Sequence, residues 1–326
     1  MTEVCGRRAA LAPRGLVADI GGTRARFALV DASGGLTPAV ELALAAFPDP
    51  LAAIRSYLHA QGDPAITDAV LAIAAPVGDG AVVPLTNAAW TFDRAALQAA
   101  LGLRELKLIN DFTALALALP VLDDSELRQL GGGPARPDAP KALLGPGTGL
   151  GVSGLLPAAG QWTPLAGEGG HVTLAAADER EAAILALARR EHTHVSAERL
   201  VSGSGLPLLH RLVNAVDGRA ANPLETPAIV AGALAGEADC RATIDVFCAL
   251  LGNVAGNLVL TLGARGGLYL GGGIVPRLRE LVDASPFRQR FEAKGRFKDF
   301  LKDVPAYVIL ATSPALRGAA QMLPHP

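Results

Sequence analysis

The chain has 326 residues, half of them hydrophobic and 18% charged, with a formal net charge of -2. That length sets two domains as the prior, leaves ample chain for a buried core, and with this composition excludes an intrinsically disordered protein. A near-neutral balance removes the electrostatic basis for nucleic acid or an anionic membrane as partner. The three cysteines, Cys5, Cys240 and Cys248, show no CxxC spacing. They support neither a disulfide framework nor a closed zinc site, so a reducing compartment, the cytoplasm, is expected. Mean hydropathy is positive, but alanine and leucine cause it and no stretch reaches about 18 uninterrupted apolar residues. Arg7-Arg8 faintly resembles an export signal, yet Pro13, Arg14 and Asp19 interrupt the apolar segment after it, so residues 1–14 read as a loose tail.

In chain order, Leu16–Ile20 and Arg24–Val30 read as strands around Gly21-Gly22-Thr23, a hairpin. Leu51–Gln61 reads as an amphipathic helix, Ala69–Ala75 as a buried strand, and Phe92–Leu101 as a helix with Thr91 as its cap. Leu106–Ile109 is a strand, and Phe112–Leu119 a helix stopped by Pro120. Residues 131–140, rich in Gly and Pro, form a loop near a domain boundary. The second half echoes the first: strand Lys141–Leu144, a Gly/Thr turn from Gly145 to Gly151, and strand Val152–Leu156. Helices follow at Asp178–Glu191 and Cys240–Leu262, then a strand at Gly267–Leu270, three glycines and a helix from Val275. Mixed strands and helices throughout make an α/β class, and the echo fits duplication of an α/β unit.

Five constellations carry possible chemistry, and each has a plainer reading beside it. Asp19 ends a strand before Gly21-Gly22-Thr23: glycines let backbone amides approach a phosphate, Thr23 adds a hydroxyl donor and Asp19 suits Mg²⁺, or the segment is an ordinary hairpin turn. Gly147-Thr148-Gly149 is a denser version of the same device, neither a P-loop nor a GxGxxG fingerprint, or a flexible hairpin loop. Asn110 and Asp111 stand between a strand and a helix, where Asp111 is placed to act as general base and either residue to act as helix cap. Glu168 and His171 flank two glycines that preclude a helix, which suits sugar-hydroxyl recognition or a surface turn. Gly271-Gly272-Gly273 offers flat backbone to a nucleoside, or marks a close helix–strand crossing. His192 and His194, two apart at a helix end, read as solvated rather than metal-binding.

Taken in order, these segments resemble the bacterial glucokinase family. The matching stretches are Asp-Ile-Gly-Gly-Thr-Arg-Ala-Arg from 19, Leu-Thr-Asn at 85–87, Ile-Asn-Asp-Phe-Thr-Ala at 109–114 and Gly-Thr-Gly-Leu-Gly-Val at 147–152. The match continues through Gly-Glu-Gly-Gly-His at 167–171, His-Val-Ser-Ala-Glu-Arg-Leu-Val-Ser-Gly at 194–203, Gly-Gly-Gly-Ile-Val-Pro at 271–276 and Lys-Gly-Arg-Phe-Lys at 294–298. The resemblance covers nearly the whole chain after residue 15.

It implies a two-domain actin-like ATPase fold (ribonuclease H-like), with a cleft between domains. Residues 1–120 plus about 308–326 would form the small N-terminal domain, and 121–307 the large one. It implies phosphorylation of the 6-hydroxyl of glucose by ATP with Mg²⁺, in a cytoplasmic homodimer. Asp111 would be the catalytic base, and Asn87, Asn110, Glu168, His171 and Glu198 would bind the sugar. Gly21, Gly22, Thr23, Gly147, Thr148 and Gly149 would face the phosphates, Gly272 and Gly273 the adenosine, and Asp19 would position Mg²⁺ through water. The chain lacks the Cys-rich zinc motif of the related ROK sugar kinases, which points to the zinc-free, non-ROK glucokinase branch. Pro146 departs from an all-glycine loop at a point where few amide donors are needed. A kinase for another hexose or phosphoryl donor stays open, as does a non-catalytic sugar sensor, since fold does not fix function. Against the sensor stand the retained Asp111, the non-basic charge and a segment before residue 16 too short for a DNA-binding helix-turn-helix.

Overall fold

The structure is a computed structural model that describes residues 13–324 apart from 79, 87, 221 and 279. Asn87 and all but the end of the expected N-terminal tail therefore lie outside the described residues. The chain divides into two compact units, one up to Leu122 together with the segment from Thr312, the other Asp123–Ala311.

The first unit opens with β1 (Pro13–Ile20) and β2 (Arg24–Asp31), followed by β3 (Val40–Ala43), α1 (Pro50–Ala60) and β4 (Asp68–Ile73). Then come β5 (Val82–Pro84), β6 (Thr91–Asp93), α2 (Arg94–Leu101), β7 (Glu105–Asn110) and α3 (Asp111–Ala118). The main sheet runs β3-β2-β1-β4-β7. Its first three strands are an antiparallel meander, and β4 and β7 join parallel to β1. Every residue of β4 is buried: from Ala69 on it is an unbroken apolar run covered on both faces, and Asp68 before it pairs with Arg104 at 2.8 Å. The helix expected from Phe92 starts later: Thr91 and Phe92 belong to β6, and the cap is Asp93, whose carboxylate accepts from Ala96 N at 2.9 Å. A carboxylate two residues on outcompetes the threonine because its oxygen reaches the third amide of the helix.

The second unit starts with β8 (Leu127–Gln129), β9 (Lys141–Pro146), β10 (Leu150–Ala158) and β11 (Gln161–Ala166). Helices α4 (Glu179–Ala188), α5 (Ala197–Leu200), α6 (Leu206–Val216), α7 (Thr226–Ala235) and α8 (Ala238–Leu262) come next. The unit ends with β12 (Leu268–Leu270), α9 (Val275–Leu278), α10 (Glu280–Asp283), α11 (Phe287–Glu292), α12 (Lys298–Lys302) and β13 (Ala306–Ile309). Its sheet runs β11-β10-β9-β12-β13-β8. Again a three-strand antiparallel meander is followed by two strands parallel to its first member, with β8 added antiparallel at the far edge. The Gly/Thr turn joins the same two positions of both meanders, so the echo seen in sequence is a repeated topology.

Finally α13 (Pro314–Ala320) returns the chain to the first unit, where it packs on α3. A side-chain carbon at Gly318 would overlap the carbonyl of Ala114, so only glycine permits this crossing. Among the described residues α8 is the one helix long and apolar enough to cross a membrane, but most of it is buried in the second unit. Its Phe247, Cys248 and Leu251 are fully enclosed, which makes it a core helix.

Candidate functional site

In the first unit, the carboxyl ends of three parallel strands form one edge. Register pairs Ile20 with Ile73 and Ile73 with Asn110, so Asp19, at the end of β1, and Asn110-Asp111, at the end of β7, stand on that edge two strand spacings apart. Such edges are where ligands bind in open α/β sheets. Asn110 is the cap of α3: its side-chain oxygen accepts from Phe112 N at 2.9 Å and Thr113 N at 3.2 Å, and its amide donates to Ala75 O at 3.1 Å. The capping reading thus holds for Asn110 and leaves one of its amide hydrogens for a ligand. Asp111 is the first helical residue and half-buried. Its carboxylate accepts from Phe112 N at 2.9 Å, at the helix end whose dipole favours an anion.

Asp19 pairs across the hairpin with Arg26, whose guanidinium lies 3.5 Å from its carboxylate. Burial nevertheless pushes the Asp19 carboxyl above its ordinary value, with Arg26 pulling the other way. A single carboxylate disfavoured as a bare anion fits Mg²⁺, which takes one or two carboxylates and keeps its remaining positions for water and phosphate. The turn after it is closed by Gly21 N donating to Arg24 O at 2.9 Å, and Thr23 is exposed.

In the second unit the segments converge through their backbones. The β9–β10 hairpin pairs Pro146 with Leu150 and is closed by Gly147 N donating to Gly149 O at 2.8 Å. Pro146 is the last residue of β9 rather than part of the loop, and its carbonyl accepts from Ile274 N at 3.2 Å. Gly203 N donates to Gly147 O at 2.7 Å, and the Ser204 hydroxyl donates to Thr148 O at 2.9 Å. Sequence reasoning passed over these two residues; of the segment around them it singled out Glu198 alone.

Glu198 has two tasks. One carboxylate oxygen accepts from Leu150 N at 2.8 Å, and the other lies 3.9 Å from His171 Nε2. A side-chain carbon at Gly149 would overlap the first oxygen. His171 closes a single 3₁₀ turn, Gly169–His171, with its amide donating to Glu168 O at 3.0 Å. A polar cavity of about 350 Å³ opens here, lined by His171, Glu198, His192, His194 and Arg199 among others, a volume within the range of small-molecule sites. His194 Nε2 lies 3.1 Å from the Thr173 hydroxyl. His171 and Glu198 are thus brought together beside the Gly147–Gly149 loop, and Glu168 joins His171 through its backbone carbonyl.

The glycines separate into two kinds. Gly272 has φ +75, and a side-chain carbon there would overlap the Pro146 carbonyl, so the close-crossing reading is right for it. Among the described residues, nothing lies within 4 Å of where such a carbon would sit at Gly147 and Gly273. The chain's own packing therefore does not require glycine at either position.

The glucokinase family model matches residues 16–325. The chain belongs to the glucokinase family. It is 52% identical over 309 residues to a glucokinase of Chromobacterium violaceum, covering 94% of this chain and 88% of that one. It is 48% identical to a bifunctional glk protein of Paraburkholderia xenovorans, of whose length it spans 48%. Among solved structures, a glucokinase from an Antarctic psychrotroph superposes with a TM-score of 0.85 at 38% identity, covering 94% of this chain and 97% of that one. The fold is therefore the two-domain actin-like ATPase fold of sugar kinases.

Proposed function

We propose that Asp111 is the general base of an ATP-dependent phosphorylation of glucose at its 6-hydroxyl. The activity follows from the family: a glucokinase model spans the chain from residue 16 onward, and a curated glucokinase is 52% identical. The observation that supports the role is the position of Asp111, first in α3 at the carboxyl edge of β1, β4 and β7. There a carboxylate at the start of a helix is placed to orient a hydroxyl and accept its proton.

The remaining roles follow the chemistry of each group. Asn87, Asn110, Glu168, His171 and Glu198 bind sugar hydroxyls as acceptors and donors in a fixed array. Gly21, Gly22, Thr23 and Gly147-Thr148-Gly149 present amides and hydroxyls to the phosphates, and Gly272-Gly273 the backbone to adenosine. Asp19 positions Mg²⁺ through water; bound, that ion neutralises charge on the phosphates. Positioning and electrostatics dominate such transfers, and little covalent work falls to the protein. A cytoplasmic homodimer belongs to the same reading, and light scattering of the purified protein reports on the assembly.

The deciding experiment is a coupled assay of ADP release with MgATP and glucose. Turnover that depends on glucose and falls by about 10²–10⁴ in a folded Asp111→Asn variant supports the assignment. Near-normal turnover in that variant removes Asp111 from the role. Panels of hexoses and phosphoryl donors define how strictly glucose and ATP are chosen.

A further inference from the structure

Two residues beyond α11, Lys294 reaches across to α8 in the second unit. Its ammonium donates to Asn253 O at 3.1 Å, to Asn257 Oδ1 at 2.7 Å and to Asn253 Oδ1. Each of its three hydrogens thus has an oxygen. Close packing makes this possible. A side-chain carbon at Gly252 would overlap the Phe287 carbonyl, and one at Gly256 would come 2.7 Å from Lys294 Cε. So far the lysine could be no more than a fastener between α11 and α8.

Asn253 gives the contact a second consequence. Its side chain is buried, and its amide nitrogen donates to Ala175 O at 3.0 Å. An ammonium can only donate, so the Asn253 atom that faces Lys294 must be the oxygen. The amide hydrogens are thereby turned towards Ala175. Reversed, the side chain would set its NH2 against the ammonium and its oxygen against a carbonyl, two mismatches at a buried residue.

Ala175 belongs to a strap, residues 172–177, that runs from the 3₁₀ turn of His171 to the start of α4. A single bridge, Thr173 to Ser196, is its only strand pairing, and of its residues Leu174 alone is buried. Val172 O accepts from Ala197 N at 2.9 Å, and Leu174 N donates to Val195 O at 3.0 Å. The strap therefore also carries the segment that leads into α5 and Glu198. Its far end is held by acids of α4. Ala177 N donates to Glu181 Oε2 at 2.6 Å, and Glu181 and Asp178 both face Arg290 of α11. With so little buried apolar surface, the strap's position rests on these few polar ties.

We propose that Lys294 and Asn253 are positioning residues for the sugar side of the site. Lys294 fixes the Asn253 amide, the amide fixes Ala175, and the strap then holds His171 beside Glu198. Both residues act through the strap rather than on the substrate. The inference rests on the reading of His171 and Glu198 as sugar-binding groups.

The test uses Asn253→Asp and Lys294→Met in the full chain. An aspartate carboxylate still accepts from Lys294 but has no hydrogen for Ala175 O. Asn253→Asp should therefore raise KM for glucose about three- to tenfold. Its kcat and its KM for ATP should change by less than about twofold, with Tm near that of the wild type. Hydrogen exchange of the 172–177 amides should quicken while the interior of α8 stays protected. Lys294→Met should raise KM for glucose to a similar extent, and the double variant no further, because both substitutions break one chain of contacts. Lys294→Arg still donates and should recover most of the wild-type KM. If Asn253→Asp does not fold, the Lys294→Met and Lys294→Arg pair decides by the same KM. A folded variant set with unchanged KM for glucose, whether or not Tm falls, reduces the contacts to a helix fastener and overturns this inference alone. Failure of the wild type to turn over glucose removes the sugar reading and this inference with it.

Discussion

Asp19 carries opposite consequences for stability and for chemistry. Burial raises its carboxyl pKa in the folded chain, against the pull of Arg26. Below the ordinary carboxylate pKa the group is protonated in folded and unfolded chain alike and costs nothing. As pH rises from that value towards the raised one, stability is lost, and the cost persists at neutral pH. Asp19→Asn should therefore raise Tm at pH 7 and lower kinase activity, with the Tm difference vanishing in acid; scanning calorimetry across pH reads the sign. Glu198 couples two tasks through two oxygens, one on Leu150 N and one towards His171. Glu198→Gln should raise KM for both ATP and glucose, whereas Glu168→Gln should raise KM for glucose more than for ATP. Initial rates with each substrate varied in turn distinguish these patterns.

Elements hold these residues in place through a few close crossings. The α3–α13 contact depends on Gly318, which meets the Ala114 carbonyl. Gly318→Ala should push α3 away, lowering both Tm and kcat because Asp111 begins that helix. Gly147→Ala should behave differently. That position has open space around it and does not adopt a positive φ, so the variant should keep its Tm and lose affinity for ATP as the new methyl blocks the approaching phosphate. A Tm loss at Gly147→Ala with unchanged KM for ATP would make the loop merely structural. Sequence chemistry made the turns legible, because glycine and threonine at strand ends act locally. It could not separate Gly147 from Gly272, since the difference lies in whether a carbonyl from a distant residue stands behind each.

The molecule as a whole carries its topology twice, a meander followed by parallel strands, each sheet with its own core. In the second unit the core is organised on α8, where a hydropathy reading alone would admit a membrane helix. Phe247 is fully buried there, and Phe247→Ala should cost about 3–5 kcal/mol. Denaturant unfolding monitored by circular dichroism measures that loss. The α/β class and the strand–turn–strand start of each half were readable from short apolar runs and turn residues. Helix starts were less so: Asp93 displaced Thr91 as cap, because the choice rests on which side chain reaches a free amide.

The sequence by itself determined the family, the α/β class, the duplicated strand–turn–strand units and the identity of the candidate groups. All of these rest on short-range chemistry or on ordered motifs. Tertiary structure decided that Asn110 caps α3 and that Glu198 reaches Leu150. It also decided that Asp19 sits half-buried beside Arg26 at the carboxyl edge of the first sheet. The Glu198 contact joins residues 48 positions apart and depends on how strands and helices pack, so no local pattern sets it, whereas the Asn110 cap is local and only the choice between Asn110 and Asp111 needed the structure.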